Sequence, residues 1–233
     1  MLRKKYWLGV AAAVCLLLAA FLLWPSSERV VEEARETLEN TNTVDFDALR
    51  RENKDIYAWL YIPGAGISEP LLQREGDSLF YLTHNCVGEV DEAGALFTES
   101  GYHQKDFSGD AAVIYGKNTE PGRQFGALQA SYSSLDGLIE NEKIIIYLPG
   151  ETLQYQAFAA APFRNYHLLH YFDFSNETRF RTFLQTVRSV KAVDASWNEA
   201  VTVDPGDSLL ILSTMRFGSA DDTYLVLAKR VFE

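Results

Sequence analysis

The hydrophobic pattern is sharpest at Ser208-Leu209-Leu210-Ile211-Leu212-Ser213-Thr214-Met215, an unbroken apolar run ending in two hydroxyls and a thioether. Asp204-Pro205-Gly206-Asp207 precedes it as a turn, because Pro sets one φ angle and Gly permits another. A short apolar run bounded by turn residues reads as a strand buried on both faces. Similar runs predict strands over 56–62, 67–73, 94–98, 110–115 and 223–231, with 143–148 and 153–163 flanking Pro149-Gly150 as a hairpin. Phe180, Phe183, Leu184 and Val187 recur at spacings of three and four, predicting a helix that Ser175 N-caps and that runs to about Val190. The mixed stretch 125–142 reads as short helices, and 78–84 as a helical turn. Many short strands and few helices predict a mainly β fold, a closed barrel with inserted helices.

The N-terminal quarter of the pattern is different. Arg3, Lys4 and Lys5 precede Tyr6 to Trp24, which carries no charge; as a helix those residues would span roughly 28 Å, close to a bilayer's hydrocarbon core. Aromatics at both ends and the basic tip predict a single-pass anchor over 6–24, N-terminus cytoplasmic, with the C-terminal bulk outside the cell. The expected organisation is a tip and anchor over 1–27, a helical stalk over 28–53 with Asp45 capping its second helix, and a barrel domain over 54–233.

Composition narrows the function. Of the 233 residues 47% are hydrophobic and 23% charged, with a net charge of -11, which argues against a nucleic-acid partner. Two cysteines, Cys15 and Cys86, provide no disulfide framework, and no Cys/His cluster has the spacing of a metal site, so no metal or other cofactor is expected.

Motifs then appear in a definite order: Asp55-Ile56-Tyr57-Ala58-Trp59-Leu60-Tyr61-Ile62-Pro63-Gly64; Phe80-Tyr81-Leu82-Thr83-His84; Ala93-Gly94-Ala95-Leu96-Phe97; Val113-Ile114-Tyr115-Gly116-Lys117-Asn118; Phe125-Gly126-Ala127-Leu128; and Leu212-Ser213-Thr214-Met215. As a set, with the predicted helix after Ser175, they resemble the class B sortases, cysteine transpeptidases of Gram-positive cell surfaces, over about Val44 to Phe232. The resemblance implies a sortase-type barrel and locates three catalytic positions. The family's acid/base His falls at Lys117, its nucleophilic Cys at Met215 and its oxyanion-stabilising Arg at Thr223.

Each replacement removes chemistry. A thioether has no proton to lose and forms no thiolate. A lysine at its ordinary pKa, about 10.4, is a poor base at neutral pH. Threonine lacks the charge-assisted hydrogen bonds an Arg gives an oxyanion. The expectation is an inactive sortase-like protein. It would bind a sorting-signal peptide, or a cell-surface or pilus-assembly partner, in a residual groove through Ser213, Thr214 and Asn118. Two alternatives stand beside it: an acyl transferase or hydrolase using Ser213 with Lys117, since Ser-Lys pairs do catalyse acyl transfer, and a surface spacer with no ligand.

Overall fold

A computed structural model describes residues 26–119 and 123–232. Its elements in chain order are α1 (Ser26–Thr41), α2 (Phe46–Glu52), β1 (Ile56–Ile62), β2 (Ile67–Leu72), β3 (Leu96–Phe97) and β4 (Ala111–Tyr115). There follow α3 (Leu128–Tyr132), α4 (Leu135–Glu140), β5 (Lys143–Leu148), β6 (Glu151–Arg164), α5 (Leu168–Tyr171), α6 (Glu177–Arg188), β7 (Ser196–Trp197), β8 (Leu209–Met215) and β9 (Asp222–Val231).

Eight strands close in the order β5-β1-β2-β3-β4-β8-β9-β6, with β6 pairing back to β5; β7 adds a short strand on β6. Closure depends on the length of β6. Its first half pairs with β5 and its second half with β7 on the same edge, while β9 follows nearly the whole of its other edge across an irregularity at Ala157/Ala159. A closed sheet has no free edge, and the alternating side chains give the barrel an inside and an outside. Inside lie Leu60, Ile62, Ala112, Ile114, Leu210, Leu212, Tyr224 and Val226.

Two outer faces are also apolar, and each acquires a cover. On one, Val113, Leu209, Ile211, Leu225 and Leu227 pack under Phe180, Phe183 and Val187 of α6 and Leu168 of α5. On the other, Trp59, Leu72, Phe97 and Tyr147 pack under Val31, Ala34 and Leu38 of α1 and Phe46 and Leu49 of α2. Residues of the expected stalk therefore seal the barrel wall. Arg35 of α1 reinforces the contact, with Nη2 2.9 Å from Glu69 Oε1 on β2 and Nε donating to the Ser68 carbonyl at 2.8 Å. Burial pushes the Glu69 carboxyl up, and Arg35 and the Gln124 N–H hold it partly in check.

Two expectations need correction. The cap of α6 is Asn176, whose side chain accepts from Arg179 N, while Ser175 is taken by Asp173: its N and Oγ donate to Oδ1 at 3.1 and 2.6 Å. The single-pass membrane placement is not upheld either: among the described residues no helix is long and apolar enough to cross a membrane. The longest described, α1, has 16 residues and alternates its apolar stripe with Glu32, Glu33, Arg35 and Glu36. The stretch 6–24 on which that placement rested lies outside the described residues.

Candidate functional site at the ends of β4, β8 and β9

Strand pairing brings the sequence-predicted positions together. β4 runs parallel to β8 with Tyr115 opposite Ser213, and β8 runs antiparallel to β9 with Met215 opposite Thr223. Beyond β4 the backbone stays attached to β8: Gly116 N donates to the Ser213 carbonyl at 3.1 Å and Asn118 Nδ2 to the Met215 carbonyl at 3.4 Å. Gly116 has to be glycine, because a Cβ there would lie 2.2 Å from Leu96 and 2.7 Å from Phe125 side-chain atoms. Lys117, Met215 and Thr223 thus end three adjacent strands.

Their side chains point to different business. Lys117 Nζ donates to the Glu92 carbonyl, so the ammonium is engaged by the neighbouring loop rather than by Ser213. Met215 is 37% exposed, and strand alternation puts it on the face of buried Ser213. Thr223 is buried, and its Oγ1 donates to the Phe163 carbonyl at 3.2 Å, turning the hydroxyl toward β6. Thr214 is buried on the opposite face, and its Oγ1 has no hydrogen-bond partner. The structure therefore juxtaposes Lys117, Met215, Thr223, Ser213 and Asn118 by backbone, without a hydrogen-bonded dyad between Ser213 and Lys117.

Three residues that sequence reading passed over organise this end. Gln124, buried at φ 47, joins four segments: Oε1 accepts from Lys117 N at 3.1 Å, Nε2 donates to the Ala93 and Gly94 carbonyls at 2.6 and 2.7 Å, and its N donates to Glu69. Arg216 follows Met215 directly, yet its fork is committed elsewhere. Nε and Nη2 grip the two oxygens of buried Asp194 at 3.1 and 2.9 Å, and Gln129 Nε2 donates to the same carboxylate at 3.0 Å. A guanidinium so occupied is not free to face an oxyanion at Met215. No residue type or spacing in the sequence flagged either one, since Arg216 grips a carboxylate 22 positions away and Gln124 donates to carbonyls 30 or more positions away.

Glu99 is the third. It lies just past β3, is 5% exposed, and sits with Oε2 2.9 Å from His167 Nε2 on the segment after β6. The distance is short, but the ring N–H is not aligned along it, and Oε2 lacks a well-formed hydrogen bond. Tyr102 packs on the His167 ring at 4.5 Å. Burial, with Glu99 beside it, pushes the Tyr115 phenol up. Tyr115 still packs against the cluster under α5 and α6 and Ser213 is buried, while Met215 is 37% exposed; Glu99 and His167 join the segments after β3 and β6.

Relatives with this architecture exist. No family model matches the chain. Sortase B of Staphylococcus aureus is 23% identical over 188 residues, covering 80% of this chain and 71% of that protein. A crystal structure of Staphylococcus aureus sortase B superposes with a TM-score of 0.72 at 21% identity, covering 89% of this chain and 97% of that one. The chain is sortase B-like. Clostridium perfringens sortase B agrees, with a TM-score of 0.69, 22% identity, and 81% and 100% of the two chains covered. So does sortase B from B. anthracis in complex with AAEK1, with a TM-score of 0.71, 22% identity, and 91% and 100% covered. This sortase B-like barrel keeps the family's frame while carrying Lys117, Met215 and Thr223 at the ends of its three strands.

Proposed function

We propose that this sortase-type protein does not transfer acyl groups and instead binds an extended peptide of the sorting-signal kind, or a cell-surface or pilus-assembly protein presenting one, along the ends of β4 and β8. One observation carries the reading. The strand ends that the resemblance marks as catalytic hold a thioether, a lysine bonded to the Glu92 carbonyl, and a threonine whose hydroxyl is given to Phe163. Acyl transfer needs a nucleophile and a base within reach of it. Met215 supplies no nucleophile, and Ser213 has no bonded base. One of the superposable structures is a Staphylococcus aureus sortase B–substrate complex, which supports peptide binding as the work such a frame can retain. The spacer and Ser213–Lys117 readings have no observation in their favour.

The test incubates the purified chain with candidate sorting peptides and an amine acceptor, following binding by calorimetry and products by mass spectrometry. Saturable binding without cleavage is the expected result. Cleavage or transfer abolished by Ser213→Ala overturns the loss of chemistry, and failure of every peptide to bind leaves the spacer.

A further inference from the structure

One oxygen of Glu69 joins α1 to the strand-end site. Glu69 Oε1 lies 2.9 Å from Arg35 Nη2 and accepts the Gln124 N–H at 3.1 Å. Arg35 reaches it from α1 with its other nitrogens engaged: Nε donates to the Ser68 carbonyl at 2.8 Å and Nη1 to Glu32 Oε2 at 2.9 Å. On the far side, the Gln124 amide has one orientation open to it, because Lys117 N presents a donor while Ala93 and Gly94 present carbonyls. Phe125 N donates to the Lys117 carbonyl at 3.2 Å and Thr119 Oγ1 to the Arg123 carbonyl at 3.1 Å, so 117–119 is closed onto 123–125. Next to Lys117, Asn118 Nδ2 donates to the Met215 carbonyl. A bonded path thus runs from Arg35 through Glu69 and Gln124 to Lys117, and from its neighbour Asn118 to the end of β8.

Among the described residues, none of 116–125 belongs to the apolar cluster under α1, and Phe125 is buried inside the barrel instead. Arg35, Glu69 and Gln124 line one cavity of about 220 Å³. The contact of α1 with this corner is therefore polar, made by directional bonds rather than by packing. Gln124 is also held at φ 47, a left-handed backbone that such a residue keeps only where its surroundings over-determine it. A guanidinium already fixed by two other bonds is a pre-organised partner for the carboxylate that holds it there. We propose that Arg35 and Glu69 are positioning residues for the site at the ends of β4 and β8: α1, docked through them, fixes Gln124 and with it the Lys117–Asn118 corner that a bound peptide meets. Coupling between separate places is carried by contiguous hydrogen-bond and ion-pair networks of this kind. The effect on a ligand rests on the peptide reading; the effect on the corner does not.

Amide exchange reads the corner directly, because the Lys117 and Gln124 N–H groups are each held by a bond of this path. The full chain is compared with Arg35→Gln, Arg35→Lys and Arg50→Gln; Arg50 donates to the Ile56 carbonyl from α2 and stands outside the path. In Arg35→Gln the Lys117 and Gln124 amides are expected to exchange at least fivefold faster, over and above any change at Ile211 and Leu227 in the barrel wall. Arg35→Lys should fall between that variant and the parent, and Arg50→Gln should match the parent at Lys117. Any sorting peptide that the parent binds should bind Arg35→Gln about fivefold more weakly in calorimetry, and Arg50→Gln equally well. Exchange unchanged at Lys117, sped no more than at Ile211, or sped as much by Arg50→Gln overturns the proposal, as does an unchanged peptide affinity in Arg35→Gln. A parent that binds no peptide overturns the peptide reading alone, and the exchange rates still decide whether α1 holds the corner.

Discussion

Glu99 Oε2 and His167 Nε2 lie 2.9 Å apart, one on the loop after β3 and the other on the segment after β6. The tautomer follows from the other ring nitrogen. His167 Nδ1 accepts the His170 N–H at 3.1 Å as the N-cap of α5, so the proton sits on Nε2, close to the carboxylate but not aligned with it. One side chain thus caps a helix and tethers the opposite loop. His167→Ala should remove both, lowering stability by about 1–2 kcal/mol and speeding amide exchange over Leu168–Tyr171 at least tenfold. Exchange as slow as in the parent protein would mean that neither the cap nor the tether holds the segment.

Met215 offers a direct test of the lost chemistry. Met215→Cys restores a thiol but places it beside Lys117 and Thr223, neither of which is set to activate it. The new thiol should alkylate like an ordinary one, its rate climbing tenfold per pH unit toward a pKa near 8.5, with the parent subtracted for Cys15 and Cys86. No acyl adduct with a sorting peptide should form. A plateau already at pH 6 would expose an activating group that the geometry does not show.

Arg216 is predicted to be structural despite its place next to Met215. Its two-point grip on Asp194, which is 8% exposed, ties the β8–β9 turn to the loop before β7. Arg216→Ala should cost about 3 kcal/mol by leaving that carboxylate buried without its cation, and Arg216→Lys should recover only part because a single ammonium cannot fork. Urea midpoints decide the matter. A loss under about 0.5 kcal/mol for the alanine variant would show the pair to be dispensable.

His103 should make stability depend on pH. Burial depresses its folded pKa to about 4, below the 6.5 of an exposed ring. The unfolded chain therefore takes up a proton below pH 6.5 while the folded one does not, so stability falls between pH 6.5 and 4 and levels off below. The full difference is about 3 kcal/mol by linkage. His103→Gln should flatten this part of the curve in denaturant titrations. A parallel decline in parent and variant would place the titrating group elsewhere.

Much of this was legible in the chain. The strands over 56–62, 67–73, 110–115, 143–148 and 209–215 declare themselves because a wall residue is apolar whichever side it faces, inward to the core or outward beneath a helix. The strand ends at Lys117, Met215 and Thr223 were reached through the resemblance and its motif spacing, and the pairing of β8 with β4 and β9 then set them side by side. Less visible was the cap of α6: Ser175 and Asn176 are both good capping residues, and Asp173, two positions back, decided between them by taking the serine.

Periodicity and turn chemistry are local quantities, and by themselves they determined a β-rich barrel, the helix over Glu177–Arg188 and a thioether at the end of β8. What Gln124, Arg216, Glu99 and His103 do was decided only by tertiary structure. Gln124, Arg216 and Glu99 meet residues far off in sequence and His103 is buried by the barrel's closure, and a buried polar group takes its role from the surroundings that closure brings to it.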